Sequence, residues 1–208
     1  MENKQFTEPW YTIDHFTQNG IDVQCPKCGG HAISKGTSTY FLPWIPTNTR
    51  LICKECSYAK TSSAFHWSGP VNAYGRRPCG HCGHKWVEAR VTLATPPKRA
   101  FNSSESRCPK CDKENTVLIQ WDIDFFNADP IDPFNGERLW YIEAMKDNTI
   151  WAYNLDHVVY LKEYVSSQLR SRDKDAGKYS TLTNLPTWMK SKKNRDAVLK
   201  ALDRLIRK

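Results

Sequence analysis

Eight cysteines in four Cys-x-x-Cys pairs, two near-equal gaps between pairs, and apolar stripes at helical spacing near the C-terminus predict one fold class. It is two small zinc-stabilised β-ribbons in tandem, followed by an α+β domain that ends in two amphipathic helices. The pairs are Cys25/Cys28, Cys53/Cys56, Cys79/Cys82 and Cys108/Cys111, and no cysteine is left over. Cys28 to Cys53 encloses 24 residues and Cys82 to Cys108 encloses 25, a repeat of knuckle, long hairpin, knuckle.

Residues 1–21 are a lead-in whose Phe6, Trp10, Tyr11, Ile13 and Phe16 are expected to pack on the first ribbon. Ribbon one spans 22–60. Gly29-Gly30 follow its first knuckle, where glycine lets the backbone turn under a metal and leaves room for N–H···S contacts. Its arms are Ala32–Tyr40 and Arg50–Ile52, and two prolines in the tip Tyr40–Pro46 argue against regular strand there. Residues 61–76 read as a linker carrying Phe65-His66-Trp67 and Gly69-Pro70. Ribbon two spans 77–116, with alternating Val87, Ala89 and Val91 as a strand and 94–107 as a long polar loop.

The third part, 117–208, begins with a β-rich run over Val117–Phe126, then turn chemistry at Asp129-Pro130 and Asn135-Gly136. Leu139–Ala144 and Thr149–Tyr153 are expected strands. Asn154 is a candidate N-cap with Asp156 in the first turn, opening a helix to about Ser171 with Val158, Leu161, Val165 and Leu169 in one stripe. After a polar connection over 172–181 and a packed turn at Leu185–Met189, the last helix is expected to bury Val198, Leu202, Leu205 and Ile206.

A composition 39% apolar and 12% aromatic is that of a globular chain rather than a disordered one. No apolar run is long enough to cross a membrane, and the N-terminus has no signal-peptide stretch, so the expected location is cytoplasmic, where thiols stay reduced for metal. The formal charge of +8 lies entirely in residues 161–208, which hold 13 Lys or Arg against 5 Asp or Glu. Eight thiolates with two divalent ions would bring the whole to about +4. Lys27, Lys54 and Lys110 sit inside knuckles, where their charge opposes that of the thiolates.

Four thiolates make a closed tetrahedral zinc site with no open position, so two structural Zn2+ ions are expected rather than catalytic ones. Redox dithiols of the Cys-x-x-Cys kind call for a βαβ context that the chain lacks. Pairing of neighbouring knuckles follows from the matched gaps and the Gly-Pro linker between them. Cys56 to Cys79 encloses 22 residues, however, so pairing of the middle knuckles, or of first with third, stays open. His81 and His84 flank a knuckle and are candidate replacements for a thiolate, although four cysteines suffice.

CPKCGG at 25–30, CKEC at 53–56, CGHCG at 79–83 and CPKC at 108–111 make residues 22–116 resemble the zinc-ribbon superfamily of transcription factors, polymerase subunits and replication proteins. That resemblance implies metal, ribbon fold, and ribbons that bind nucleic acid or dock on larger machinery. The stretches TIWAYNLDHVVYLKEYV at 149–165 and LPTWMKSKKNRDAVLKAL at 185–202 resemble a block in uncharacterised bacterial zinc-ribbon proteins, which implies a bacterial or phage origin and no activity.

Two regions are candidates for contact with nucleic acid or a protein partner. One is the aromatic tip with Tyr40, Phe41 and Trp44, flanked by Lys35 and Arg50; its rings suit base stacking, a protein anchor or plain packing. The other is the cationic start of the last helix, Lys190, Lys192, Lys193 and Arg195, with Lys200, Arg204 and Arg207 along its length. Solvated i,i+4 pairs Asp196–Lys200 and Asp203–Arg207 are the plainer account of that face. Asp122 and Asp124 on one strand face, near Asp129, Asp132 and Glu143, are the only carboxylate group that suggests metal-dependent phosphodiester cleavage, and turn chemistry accounts for Asp129 and Asp132. His157 reads as an ordinary surface residue. The expected function is a non-catalytic zinc-binding adaptor that binds DNA or RNA or docks on a nucleic-acid-processing machine, with no membrane and no small-molecule substrate. A pure protein-interaction subunit and a metal-dependent nuclease using Asp122 and Asp124 are the alternatives.

Overall fold

The computed structural model describes residues 5–7, 11, 13–36, 48–63, 67–99, 101–124, 129–167, 169–171, 181–182 and 185–208. The chain opens with β1 (Gln5–Thr7) and α1 (Ile13–Thr17). Four hairpins follow, each turned by one knuckle: β2 (Ile21–Gln24) with β3 (His31–Gly36), β4 (Thr49–Cys53) with β5 (Ala59–Ser62), β6 (Val71–Arg77) with β7 (Val87–Leu93), and β8 (Ser103–Arg107) with β9 (Glu114–Leu118). Then come β10 (Gln120–Ile123), the hairpin β11 (Tyr141–Met145) and β12 (Asn148–Ala152), α2 (Leu155–Ser166), β13 (Leu169–Ser171), α3 (Thr187–Lys190), a 3-10 turn at Lys192–Asn194, and α4 (Arg195–Ile206).

The knuckle is thus the turn of a hairpin, not the foot of one. In the first pair of hairpins β3 also pairs with β4, giving a four-stranded antiparallel sheet β2-β3-β4-β5. In the second pair β7 and β8 do not pair; β6–β7 instead takes β10 on its other edge, and β8–β9 stays a two-stranded sheet. The expected single long hairpin therefore holds in ribbon one and fails in ribbon two. The segment expected as linker, 61–76, contains most of β6. Val71, Ala73 and Gly75 face inward there while Asn72, Tyr74 and Arg76 face outward, the period-2 pattern of a half-buried strand. The loop expected over 94–107 likewise ends in β8, whose polar residues are held by cross-strand bonds such as Thr116 Oγ1 to Glu105 Oε1 at 2.8 Å.

The described residues fall into two compact units. One takes those up to residue 63 and from Pro130 onward; the other takes 67 to Asp129. The expected third domain over 117–208 is accordingly divided, because β10 pairs with β6.

In the first unit, ribbon one shares a core with the C-terminal elements. Val23 bridges Leu139, Asp22 N–H donates to Tyr153 O at 2.7 Å, and Trp140 N–H to Asp22 O at 2.8 Å. The buried Asp132 carboxylate accepts from Ser34 Oγ at 2.7 Å and from the N–H groups of Phe134, Asn135 and Glu137. Asn135 Nδ2 donates to Ser34 Oγ at 2.8 Å, and Thr49 Oγ1 to Asn135 Oδ1 at 3.1 Å. Gly36 is required where Phe134 crosses, since a Cβ would sit 2.2 Å from its ring. Burying so polar a cluster is tolerable because its members satisfy one another.

Asn154 caps α2 as expected, its side chain accepting from His157 N at 3.0 Å. The helix stops at Ser166 rather than near Ser171. Ser167 is extended and its hydroxyl returns to Glu163 O at 2.8 Å, so Leu169 joins β13, which pairs parallel to β1. Of the lead-in, expected on ribbon one, the described rings of Phe6, Tyr11 and Phe16 lie against α2. Phe6 lies against Tyr160 and Tyr164, and Phe16 stacks on His157 with centroids 4.4 Å apart. His157 is consequently buried, not a surface residue. On α4, Val198, Ala201, Leu202 and Leu205 are buried and Ile206 is exposed.

In the second unit, Val71, Val87, Val117, Ile119, Trp121 and Ile123 form the core. Gly75 is the point of closest approach: a Cβ there would lie 1.8 Å from Leu118 O. Trp121 Nε1 donates to Phe101 O at 2.7 Å and Trp67 Nε1 to Pro70 O at 3.1 Å, so both buried indoles are satisfied.

Candidate metal centres and exposed faces

Two groups of four sulfurs converge: Cys25, Cys28, Cys53 and Cys56, and Cys79, Cys82, Cys108 and Cys111, all ligand atoms in each lying within 4.8 Å of one another. Neighbouring knuckles pair, and the alternative pairings are excluded. Cys25–Cys56 and Cys28–Cys53 are 3.7 and 3.6 Å apart, and Cys79–Cys111 and Cys82–Cys108 are both 3.7 Å. A disulfide needs about 2.05 Å. A tetrahedron with metal–sulfur bonds of about 2.3 Å has edges of about 3.8 Å. The spacing fits a four-thiolate metal site.

Local sequence builds that geometry the same way four times. The residue after each second cysteine is left-handed: Gly29 at φ 72°, Ser57 at 57°, Gly83 at 68° and Asp112 at 55°. This turn lets Gly29 N–H reach Cys25 O at 2.8 Å and Asp112 N–H reach Cys108 O at 2.9 Å. Backbone N–H groups then aim at the sulfurs: Lys27 at Cys25, Gly30 at Cys28, Glu55 at Cys53, His81 at Cys79 and Lys110 at Cys108, all 3.3–3.4 Å.

The electrostatics of the thiols are compatible with a bound cation. The N–H groups of Cys56 and Glu55 bring the Cys53 thiol down to about 7. Burial pushes Cys79 up, yet the N–H groups of His81 and Cys82 with the adjoining thiols bring it down to about 6. In the same clusters Cys28, despite the Gly30 N–H, and Cys111, despite the Lys113 N–H, are pushed up to about 12 by the neighbouring sulfurs and by desolvation. One thiol per cluster is ready to ionise and another resists following it. A divalent ion among the four sulfurs removes that conflict.

No histidine belongs to either cluster. His81 Nε2 lies 3.1 Å from Glu114 O, and His84 contributes its carbonyl to Cys79 N–H. Among the described residues, no other group of three or more His, Cys, Asp or Glu ligand atoms converges. Asp124 accepts from Asn72 Nδ2 at 3.0 Å, and Asp122 from Ile123 N at 2.9 Å. The Asp122 carboxyl is pushed above its ordinary value by desolvation and then by the Asp124 charge. Asp132 is buried in the turn network and Glu143 is bound to Arg204 at 2.5 Å, both in the first unit.

Tyr40, Phe41, Trp44, Phe65 and His66 lie outside the described residues. Arg50 is exposed on β4 opposite Lys35. In the C-terminal set Lys192, Lys193, Lys200, Arg204 and Arg207 are exposed, while Lys190 and Arg195 are half-buried. The expected i,i+4 pair of Asp203 gives way to a bond with Lys162 of α2 at 2.6 Å.

Sequence reasoning missed a third surface, the outer face of β6–β7. Tyr74 is 38% and Trp86 36% exposed, with the Arg90 guanidinium 4.8 Å from the centre of the first ring and the Arg76 guanidinium 4.2 Å from the second. The signal was the alternation in Val71–Arg77, which the surrounding Gly and Pro residues disguise as a connection.

Compared with family models, curated proteins and solved structures, the chain matches none of them. Its assignment therefore rests on its own geometry.

Proposed function

We propose that this chain is a zinc-clipped nucleic-acid-binding adaptor, its two four-cysteine clusters being zinc ribbons that hold a structural ion each. Zinc is favoured over other ions because four thiolates in a closed tetrahedron suit a soft, non-redox cation of that bond length. The observation that carries the nucleic-acid reading is the outer face of β6–β7, where exposed rings and guanidinium groups alternate. Rings that stack on bases and cations that meet phosphates are the two parts such binding needs. The exposed cations Lys192, Lys193, Lys200 and Arg207 add to the same attraction.

The test is fluorescence anisotropy of labelled DNA and RNA with the metal-loaded chain across a salt series. The logarithm of the binding constant is expected to fall linearly with the logarithm of salt concentration. Failure to bind either at about 50 mM salt overturns the reading.

Leu118 favours a second reading, docking on a protein. It is 73% exposed on β9, and Phe101 in the same unit is 41% exposed. Under that reading Leu118→Asp breaks a complex recovered by pull-down, while charge reversal at Lys200 and Arg204 leaves it intact.

A further inference from the structure

The outer face of β6 and β7 is built from cross-strand neighbours. Tyr74 lies opposite Arg90 and Arg76 opposite Glu88, with Trp86 at the foot of β7. The side chains alternate cleanly, Val71, Ala73, Val87 and Ala89 going to the core while Tyr74, Arg76, Glu88 and Arg90 stay in solvent. Lys85 Nζ stands 5.6 Å from the Trp86 ring centre. Arg90, Tyr74 and Arg76 gather about Glu88, which Arg90 holds at 3.0 Å, while Asp122 of β10 stands on the same sheet face opposite Asn72.

We propose that this face is a binding platform for single-stranded nucleic acid, with Tyr74 and Trp86 each stacking one base and Arg76, Arg90 and Lys85 taking phosphates. The proposal rests on the nucleic-acid reading above and makes it specific. Trp86, one residue before β7, is four residues from Arg90, the partner of Tyr74, so the backbone positions that carry the two rings are about 14 Å apart along the strand. Bases stacked in a duplex rise about 3.4 Å each. Rings so far apart suit bases splayed along an extended strand, not a continuous stack. A duplex keeps its base faces inside and offers nothing for either ring. The guanidinium over each ring belongs to an exposed side chain, so it can swing to a phosphate while the base takes the ring face. Charge complementarity sets the occupant: an acidic polyanion with aromatic faces matches both halves of the surface. A charged protein tail would use the arginines and leave the rings idle.

The experiment measures anisotropy of labelled dT12, U12 and a 12-base-pair duplex with the full, metal-loaded chain. Single strands are expected to bind at least about tenfold tighter than duplex. Tyr74→Ala and Trp86→Ala should each weaken single-strand binding about tenfold with an unchanged salt slope, since stacking carries no counterion. Arg76→Glu with Arg90→Glu should weaken it further and flatten the slope. Glu88→Gln should tighten it by releasing Arg90. All these residues are solvent-exposed, and metal content with circular dichroism checks each variant. Duplex preference, or single-strand binding indifferent to Tyr74→Ala and Trp86→Ala, overturns this platform while the broader reading stands. Absence of binding to all three probes overturns both.

Discussion

Ribbon one and ribbon two begin from the same local unit, a hairpin turned by a Cys-x-x-Cys knuckle with a left-handed residue after it. They end in different roles. In ribbon one the two hairpins fuse through β3–β4, and the resulting sheet is bonded to the C-terminal elements by Val23–Leu139 and the Ser34–Asp132 network. In ribbon two the hairpins stay separate, β10 completes the first of them, and the outward side of β6–β7 keeps its rings and arginines in solvent. The comparison teaches that four cysteines specify a clip and not a task. What a ribbon does depends on which of its faces the rest of the chain covers.

The largest effect should come from breaking one clip at a time. Structural zinc sites contribute apparent free energies on the order of 10 kcal/mol to small domains. Cys79→Ser is expected to abolish hydrogen-exchange protection across β6 to β10 and leave α2 and α4 protected. Cys25→Ser is expected to remove protection from β2 to β5 and from α2 and α4 together, because the Asp132 cluster and the β2 contacts join them. If α2 and α4 keep their protection in Cys25→Ser, ribbon one is no more integrated than ribbon two and the comparison collapses.

The two four-cysteine clusters were legible in the sequence because cysteine spacing is local chemistry: two residues between cysteines leave few geometries. The Asn154 cap and the stripe Val158, Leu161 and Val165 were legible for the same reason. What escaped depends on distant partners. Asn72, Tyr74 and Arg76 alternate with apolar residues, but only pairing with β7 and β10 shows that 71–77 is strand. Asp132 reads as a turn residue, and its turn is indeed built on it; that Ser34, 98 residues away, donates to it could not be read locally. His157 reads as a surface residue by its polarity alone, and what buries it is Phe16, stacked on it from the lead-in.

That buried histidine offers a second, smaller test, since the first unit holds it and the described residues of the second include no buried histidine. Burial pulls its pKa from 6.5 down to about 3, and Tyr153 N–H donates to its Nδ1 at 3.4 Å. The unfolded chain takes up a proton below about pH 6.5 that the folded unit refuses until about pH 3. Stability from this group is therefore present at neutral pH and declines as pH falls through that window, by about 1.4 kcal/mol per unit. Between pH 6.5 and 5 the loss is about 2 kcal/mol. His157→Phe keeps a ring against Phe16 and removes the titration. Denaturant melts of both chains should differ in pH slope by that amount, thiolate protonation being common to the two. Equal slopes would mean that His157 is hydrated, and the first unit less tightly closed than its packing implies.

The smallest effect returns to the knuckles. Gly29 and Gly83 hold the left-handed turn without strain, whereas Ser57 and Asp112 hold the same turn with a Cβ. Each ribbon thus has one relaxed and one strained knuckle, the strained one second. Ser57→Gly is expected to stabilise ribbon one by up to about 1 kcal/mol, read as a slower loss of metal to a chelator and a higher melting temperature. Asp112→Gly relieves the same strain but removes the carboxylate that accepts from Arg107 at 3.0 Å. That pair is exposed, so its loss costs a few tenths of a kcal/mol and the net gain in ribbon two should be smaller. Gly29→Ala should go the other way, although open space surrounds its Cβ position, because the penalty lies in the backbone and not in contact. A gain from Ser57→Gly that matches the loss from Gly29→Ala would show the two knuckles of one clip to be interchangeable. A gain confined to ribbon two would place the strain in the unit whose two hairpins do not join into one sheet.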